Sequence, residues 1–356
     1  MSETPSPEPA APEVLVAVEG TVGRLTLNRP KALGALTTTM VALMTEALLA
    51  WRDDDAVTTV LIDHAGERGF CAGGDIRFLA DSARVGGEGA RHFFHTEYQL
   101  NHLLMTFPKP VVALMDGVTM GGGVGIALPA RYRVATERTT FAMPETGIGL
   151  FPDVGGGWHL SRLHGAVGVW LALTGARIKA AGCEILGIAT DVVPSDRLAE
   201  LKSRLIANPA AVETILTELE SDPGRSEMIE HHDSIDRLFS GPTLEAIFAA
   251  LAADGSDWAL SQLAILGTKS PLSMKVALRQ LQAGRAMTDF ADNMAMEMRI
   301  GARVVMSHDF AEGVRAVIVD KDNKPQWEPA TLEGVTDAML DAIFAPLPAD
   351  QEWKPL

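Results

Sequence analysis

Two apolar, β-branched segments limit the folds that are possible for this chain. Each of them is followed by a glycine-rich loop and then by a helical pattern. Residues 58–63 form one such segment and are followed by the loop 66–74. Residues 110–116 form another, followed by a glycine cluster and a helical pattern over residues 122–128. Because strands that alternate with loops and helices build a mainly parallel sheet covered by helices, the first half is predicted to be α/β.

The second half of the chain has a different pattern. Beyond about residue 195 helical periodicity predominates, with prolines and glycines between the segments, and only residues 314–318 have a strand pattern. The N-terminus is rich in Pro, Ser, Ala and Glu, which is typical of a flexible tail. The predicted organisation is a disordered tail at residues 1–12, a core at residues 13–200 and a helical C-terminal domain at residues 201–356.

Charge and cysteine content argue against several classes of protein. The 356 residues carry a net charge of −16, which disfavours binding to nucleic acid or to an anionic membrane. Cys71 and Cys183 are too few for a disulfide framework or a zinc site, which fits a reducing compartment. Residues 111–130 are largely apolar, but five glycines, Asp116 and Pro129 argue against a membrane span. We therefore expect a soluble, cytoplasmic protein.

Two of the glycine loops suggest a binding site for a negatively charged oxygen. Gly73 and Gly74 follow one predicted strand, and the glycines of residues 121–125 follow the next. Loops from neighbouring strands can each offer one backbone N–H to the same oxygen, which would make an oxyanion hole. The alternative is that these glycines only allow tight turns. A dinucleotide-binding loop is disfavoured, because Ile126 or Leu128 occupies the position of its third glycine.

A third loop, residues 143–157, carries Glu145 and Asp153 among apolar residues, prolines and glycines. Apolar surroundings raise the pKa of a carboxyl group, and acid–base or nucleophilic catalysis uses this property. The alternative is that both carboxylates cap helices. The HHD segment at residues 231–233 is a weaker candidate for a metal site, because no further ligand accompanies it at a suitable spacing. We predict no metal and no cofactor.

Together these motifs resemble the crotonase superfamily, also called the enoyl-coenzyme A (CoA) hydratase/isomerase family. The segments that carry the resemblance are LNRPKAL (27–33), residues 70–75, the glycines of residues 121–123, and Pro144 with Glu145. Within this family the chain most resembles the 3-hydroxyisobutyryl-CoA hydrolases, and the resemblance runs from about Val14 to the C-terminus. The segments similar to that group are FFHTEY (93–98), residues 143–157, Ser270-Pro271 with Lys275, HDFAEGVRA (308–316) and residues 320–329.

The resemblance implies a crotonase-like spiral of ββα units with a mostly helical C-terminal part. The helices would cover the active site or mediate assembly, so a homo-oligomer is one alternative. The implied substrate is an acyl-CoA thioester, and coenzyme A would be part of that substrate. The residue roles implied by matching positions are the oxyanion-hole N–H groups of Gly74 and Gly122, the catalytic carboxylates Glu145 and Asp153, the acyl-pocket residue Glu97, the substrate-binding residue Ala72, and the coenzyme A path at Lys31 and Ala32. Because coenzyme A is polyanionic and the protein is acidic, that path needs local positive charge, which Arg29, Lys31, Arg68 and Arg77 could supply.

Gly125 bears on which reaction of the family this chain catalyses. By resemblance, the hydratases of the family add water to a double bond with two carboxylates, which match Gly125 and Glu145. Glycine cannot hold or deprotonate water, so the pair of Glu145 and Asp153 suits thioester hydrolysis better. The predicted reaction is hydrolysis of 3-hydroxyisobutyryl-CoA to 3-hydroxyisobutyrate and CoA, a step of valine catabolism. The alternatives are an enoyl-CoA hydratase or isomerase and a non-catalytic acyl-CoA binding protein.

Overall fold

The computed structural model describes residues 11–356, so all but Ala11 and Pro12 of the predicted N-terminal tail lies outside the described residues. The strands of the described residues are Val14–Glu19 (β1), Val22–Leu27 (β2), Thr59–His64 (β3), Gly69–Cys71 (β4), Val111–Met115 (β5), Val118–Met120 (β6), Tyr132–Ala135 (β7), Thr140–Ala142 (β8) and Asp191–Val192 (β9). The α-helices are Thr38–Arg52 (α1), Ile76–Arg84 (α2), Glu88–Met105 (α3), Gly122–Ala127 (α4), Gly156–His159 (α5), Val167–Thr174 (α6), Ala180–Ile185 (α7), Leu198–Ala207 (α8), Val212–Leu219 (α9), His232–Phe239 (α10), Leu244–Asp254 (α11), Asp257–Leu266 (α12), Pro271–Ala286 (α13), Phe290–Val304 (α14), His308–Val314 (α15) and Asp337–Phe344 (α16).

The strands form two sheets that the chain visits in turn. The larger sheet has the order β1-β2-β3-β5-β7-β9, and it is parallel except for the β1–β2 hairpin. The smaller sheet has the order β4-β6-β8 and is parallel. The chain thus passes from the larger to the smaller sheet and then into helices three times, which confirms the predicted spiral of ββα units.

Apolar side chains cover the larger sheet on both faces. On one face, Leu61 and Val112 pack with Leu201 of α8 and Ile215 of α9. The main core of the protein lies on the other face and joins the sheet to α1, α3 and the C-terminal helices. Strands buried on both faces explain why β3 and β5 are almost continuously apolar, as in parallel sheets generally.

The C-terminal helices pack against the loops that follow the strands. Helix α14 lies along α3, and α15 contacts the 3-10 turn Glu145–Ile148. The backbones of this turn and of α15 are in direct contact, because a Cβ atom added at Gly149 would lie 2.1 Å from the carbonyl oxygen of Asp309. The division at residues 200 and 201 stays a prediction, and it falls within α8, which packs on the sheet.

Residues 314–318 do not form the strand that their pattern suggested. They continue α15 into the π-helix Arg315–Val319. The Arg315 guanidinium pairs with Glu312 one turn earlier and with Asp320 after the turn, and these ion pairs hold the segment helical. Among residues 11–356, no helix is both long and apolar enough to cross a membrane.

Candidate active site

The two predicted glycine loops lie directly against each other. The first follows β4, and the second follows β6 and opens α4. A Cβ atom added at Gly121 would lie 3.3 Å from the Cα of Gly73, and one added at Gly73 would lie 3.7 Å from the amide nitrogen of Gly122. In residues 11–356 neither the N–H of Gly74 nor that of Gly122 donates to another group of the protein. Both donors are therefore free to bind a ligand.

The loops line a pocket that also receives the predicted carboxylates. The predicted site residues that line it are Ala72, Gly74, Glu97, Gly122, Glu145 and Asp153. Two further predicted residues, Lys31 and Ala32, lie outside it on the 3-10 turn Pro30–Ala32. Apolar side chains of Leu79, Phe93 and Phe94 complete the wall, so the pocket can hold a small, partly apolar group.

Glu145 places its carboxyl group beside the second glycine loop. Its Oε1 would lie 3.2 Å from a Cβ atom added at Gly121, and its Oε2 is buried and has no hydrogen-bond partner among residues 11–356. The turn that begins at Glu145 has Pro144 as its N-cap and no side-chain cap, so the capping alternative does not hold for Glu145. An unpartnered buried carboxyl oxygen at the wall of a pocket is available to a substrate or a water molecule.

Glu97 and Asp153 are the other two buried carboxyl groups of the pocket. Oε1 of Glu97 has no partner and would lie 2.6 Å from a Cβ atom added at Gly122. The hydroxyl of Tyr98 donates to Oδ2 of Asp153 at 2.9 Å, which orients that carboxylate. Asp153 caps no helix, because the N-cap of α5 is Gly155.

Burial changes the acid–base properties of all three groups. It raises the pKa of Glu145 well above its usual range, and the negative charge of Asp153 raises that pKa further. The pKa values of Glu97 and Asp153 are raised for the same main reason. The hydrogen bond from Tyr98 opposes this effect at Asp153, because it favours the charged form. Burial raises the pKa of Asp153 to about 7, so this group can exchange protons near neutral pH, and Glu97 and Glu145 keep their protons to higher pH than ordinary carboxyl groups.

The space beside Gly125 is filled. A Cβ atom added there would lie 2.5 Å from the Cβ of Val154 and 2.7 Å from Nδ2 of Asn101. The side chains of Val154 in the 153–157 turn and Asn101 of α3 thus occupy the region into which a carboxylate at position 125 would project. The acidic side chains that line the pocket are Glu97, Glu145 and Asp153, and none of them lies on α4, the helix that contains Gly125.

The predicted coenzyme A path begins next to the first glycine loop. The amide of Ala72 donates to the carbonyl of Leu33 at 2.9 Å, which joins the turn of Lys31 and Ala32 to the pocket. Lys31, Arg68 and Arg77 are exposed. Arg29 differs from them, because its guanidinium pairs with Asp75 and Glu13 and donates to a backbone carbonyl.

Three side chains near the pocket were not predicted. Tyr98 orients Asp153, and Lys269 lies near Glu145, where its positive charge favours the ionised carboxylate. Glu297 of α14 accepts hydrogen bonds from the turn that follows Asp153. Tyr98 is adjacent to Glu97 in a segment already noted, whereas no local pattern distinguishes Lys269 or Glu297.

Of the predicted HHD segment, only His232 belongs to a cluster of potential metal ligands. In the described part of the chain, His232, His164 and Asp236 have potential ligand atoms within 4.8 Å of one another. None of these residues lines the candidate active site. The expectation that the protein uses no metal stays a prediction.

The chain is similar to proteins of one known family. Residues 22–344 match the family model described as enoyl-CoA hydratase/isomerase. The 3-hydroxyisobutyryl-CoA hydrolase of Xenopus laevis is 45% identical over 94% of this chain and 89% of that protein. The human protein of the same name is 45% identical over 95% of this chain and 90% of its own length. A crystal structure described as a carnitinyl-CoA dehydratase from Mycobacterium thermoresistibile superposes with a TM-score of 0.92, at 42% identity over 96% of this chain and 98% of that one.

The relatives correct one prediction. Both hydrolases carry the word mitochondrial in their names, so the expected cytoplasmic location is contradicted. That expectation came from cysteine content, which is compatible with any reducing compartment.

Proposed function

Because this chain belongs to the enoyl-CoA hydratase/isomerase family, we propose that it hydrolyses 3-hydroxyisobutyryl-CoA to 3-hydroxyisobutyrate and CoA. The observation that carries the proposal is the position of the carboxylate side chains in the pocket. Glu145 lies beside the glycine loops, and the region next to Gly125, where a second hydratase carboxylate would project, is filled by Val154 and Asn101. The names of relatives with about 45% identity support the same substrate.

The N–H groups of Gly74 and Gly122 form the oxyanion hole in this proposal. Both lack an acceptor within the described part of the chain, and their loops are in contact. The thioester carbonyl oxygen would accept both hydrogen bonds, and the donors would stabilise the negative charge that grows there. Each such donor typically lowers the barrier by about 3 kcal/mol.

Glu145 acts on the carbonyl carbon held between these donors. In one route it takes a proton from water while the water oxygen bonds to that carbon; in the other its own oxygen attacks and gives a mixed anhydride, which water then hydrolyses. In both routes the carbon–sulfur bond breaks and the departing thiolate takes a proton. The raised pKa of Glu145 makes its carboxylate a stronger base than that of an ordinary glutamate.

Asp153 and Glu97 bind the hydroxyl end of the acyl group. Both line the pocket and are buried, and the oxygen of Glu97 without a partner can accept a hydrogen bond from the substrate hydroxyl. Asp153 either binds the same hydroxyl or passes a proton to the departing thiolate. Coenzyme A would lie along the turn of Lys31 and Ala32, where the exposed cations Lys31, Arg68 and Arg77 attract its phosphates despite the acidic net charge.

Thiol release from a panel of short acyl-CoA thioesters tests the proposed reaction. We expect the highest kcat/KM with 3-hydroxyisobutyryl-CoA and at least a tenfold lower value with isobutyryl-CoA, which lacks the hydroxyl that Glu97 and Asp153 would bind. Equal rates with both would contradict the proposed hydroxyl recognition.

Addition of water to an enoyl-CoA is the second candidate, because the similar structure is described as a dehydratase. Loss of the absorbance of the conjugated double bond of crotonyl-CoA measures it directly. We expect no change above background, and turnover of crotonyl-CoA faster than thiol release would favour this candidate instead.

A further inference from the structure

Glu297 is a fully buried carboxyl group that the mechanism above does not use. It lies on α14, 144 positions beyond Asp153, and has no solvent exposure. Its Oε2 accepts a hydrogen bond from the amide of Gly155 at 2.7 Å, and its Oε1 accepts one from the amide of Gly157 at 3.0 Å. A side chain from the C-terminal part therefore binds the backbone immediately after Asp153.

The turn that Glu297 binds has an unfavourable backbone conformation. Val154 has a φ angle of +53° and Gly155 one of +92°. A β-branched residue rarely adopts a positive φ, and such a residue costs about 1–3 kcal/mol unless its surroundings impose the conformation. The hydrogen bonds to Glu297 begin at the very next residue and hold the turn in this form.

Two amide side chains hold the Glu297 carboxyl group in place. Nε2 of Gln280 and Nδ2 of Asn293 donate to its Oε1 at 3.0 and 2.9 Å. Gln280 also donates to the carbonyl of Pro152 at 2.7 Å. The residues on both sides of Asp153 are thus attached to α13 and α14 by one buried network.

We propose that Glu297 is a positioning residue that holds the Asp153 carboxylate in the acyl pocket. It acts through the backbone of residues 155–157, while the Tyr98 hydroxyl holds the Asp153 side chain from α3. A purely structural role would stabilise the fold without affecting turnover selectively. This inference rests on the proposed hydrolase function, because it assigns Glu297 to the same site.

Glu297→Gln tests the proposal with little change in volume. If the glutamine oxygen takes the Oε1 position, it still accepts the hydrogen bonds from three of the four donors. The side-chain amide nitrogen then faces the N–H of Gly155, so that hydrogen bond is lost. We expect kcat for 3-hydroxyisobutyryl-CoA to fall at least tenfold, while the Kd for CoA, which lacks the acyl group, stays within twofold. Amide hydrogen exchange of residues 153–157 should become faster. A kcat within twofold of the unsubstituted protein, in a folded variant, would overturn the proposal.

Glu352→Gln is the matched control. Glu352 also accepts a backbone hydrogen bond, from Leu347, and pairs with Arg299 of α14, but it does not contact the 153–157 turn. We expect it to lower the thermal midpoint without changing kcat. An equal loss of kcat in both variants would overturn the specific role of Glu297.

Two further results keep the test decisive. If Glu297→Gln does not fold, Asn293→Ala removes one donor to the same carboxylate, and we expect about a threefold loss of kcat with an unchanged Kd for CoA. An unchanged kcat would overturn the proposal. If the unsubstituted protein releases no thiol, the proposed function is wrong. Hydrogen exchange then decides the role of Glu297, since unchanged exchange at residues 153–157 in Glu297→Gln would overturn it.

Discussion

Gly125 shows at the scale of a single residue why this pocket differs from one that adds water to a double bond. A side chain there would meet Val154 and Asn101 at 2.5 and 2.7 Å. We expect Gly125→Glu to destabilise the protein by about 1–3 kcal/mol or more, as overpacking typically does, and to create no hydratase activity. Thermal unfolding and the crotonyl-CoA assay check both expectations.

Gly267→Glu is the control for that substitution. Gly267 is exposed, and an added Cβ atom would make only ordinary contacts, the nearest at 3.4 Å. Its thermal midpoint should match that of the unsubstituted protein. A stable Gly125→Glu variant that hydrates crotonyl-CoA would contradict the account of this position.

Tyr98 supports a second prediction at the same scale. Tyr98→Phe removes the hydrogen bond to Asp153, which favours the ionised carboxylate, so the pKa of Asp153 should rise further. Hydrogen bonds to charged groups contribute about 1.5–3 kcal/mol, so we expect kcat to fall roughly tenfold or more. The acidic limb of the pH–kcat profile should move to higher pH. An unchanged limb would show that Asp153 is not the group that titrates.

Elements that position the pocket differ in how well they could be predicted. The strands β3 and β5 have strong hydrophobic patterns and were predicted, and the mostly helical region predicted beyond about residue 195 contains α8 through α16. The short strands β4, β6 and β9 were not, because two or three residues carry too little pattern. Five site residues predicted in loop motifs and Glu97, predicted from the resemblance of residues 93–98, do meet in one pocket. Glu297 could not be predicted, since only tertiary packing brings α14 to the 153–157 turn.

The carboxyl groups that α3, α14 and the two turns bring together affect stability as well as chemistry. Burial raises the pKa of Glu97, Glu145 and Asp153, and that of Glu297 to about 8. The folded state therefore binds more protons than the unfolded state above the ordinary carboxyl pKa of about 4. The contribution of these four carboxyl groups to the free energy of unfolding is therefore present at low pH. It is lost as the pH rises through their folded-state pKa values.

Urea unfolding at pH 5 and pH 8 tests this effect. We expect this cluster to make the protein less stable at pH 8, and Glu97→Gln to reduce the difference, because that variant has one fewer buried group to ionise. Glu46→Gln is the control, since Glu46 is exposed on α1 and should leave the difference unchanged. The same pH dependence in the Glu97 variant as in the unsubstituted protein would contradict the proposed origin.

The whole molecule depends on contacts between its two halves. Helix α14 packs along α3, and α15 contacts the turn of Glu145 through backbone atoms. We expect a chain shortened at Glu220, which keeps the sheet and the helices α8 and α9, to lack a cooperative thermal transition. The main core would then lose buried residues such as Ile300 and Phe310. A cooperative transition followed by circular dichroism would show instead that the strand-containing part folds independently.

In the proposed reaction, Glu145 cleaves a thioester whose carbonyl oxygen lies between two backbone amides. The most direct test of this reaction is thiol release from 3-hydroxyisobutyryl-CoA by the unsubstituted protein and by Glu145→Gln, with CoA affinity measured in parallel. We expect the variant to bind CoA with an unchanged Kd and to lose thioester cleavage by at least a hundredfold, because an amide can neither accept the proton nor attack the carbon. Turnover within a few fold of the unsubstituted protein would contradict the account.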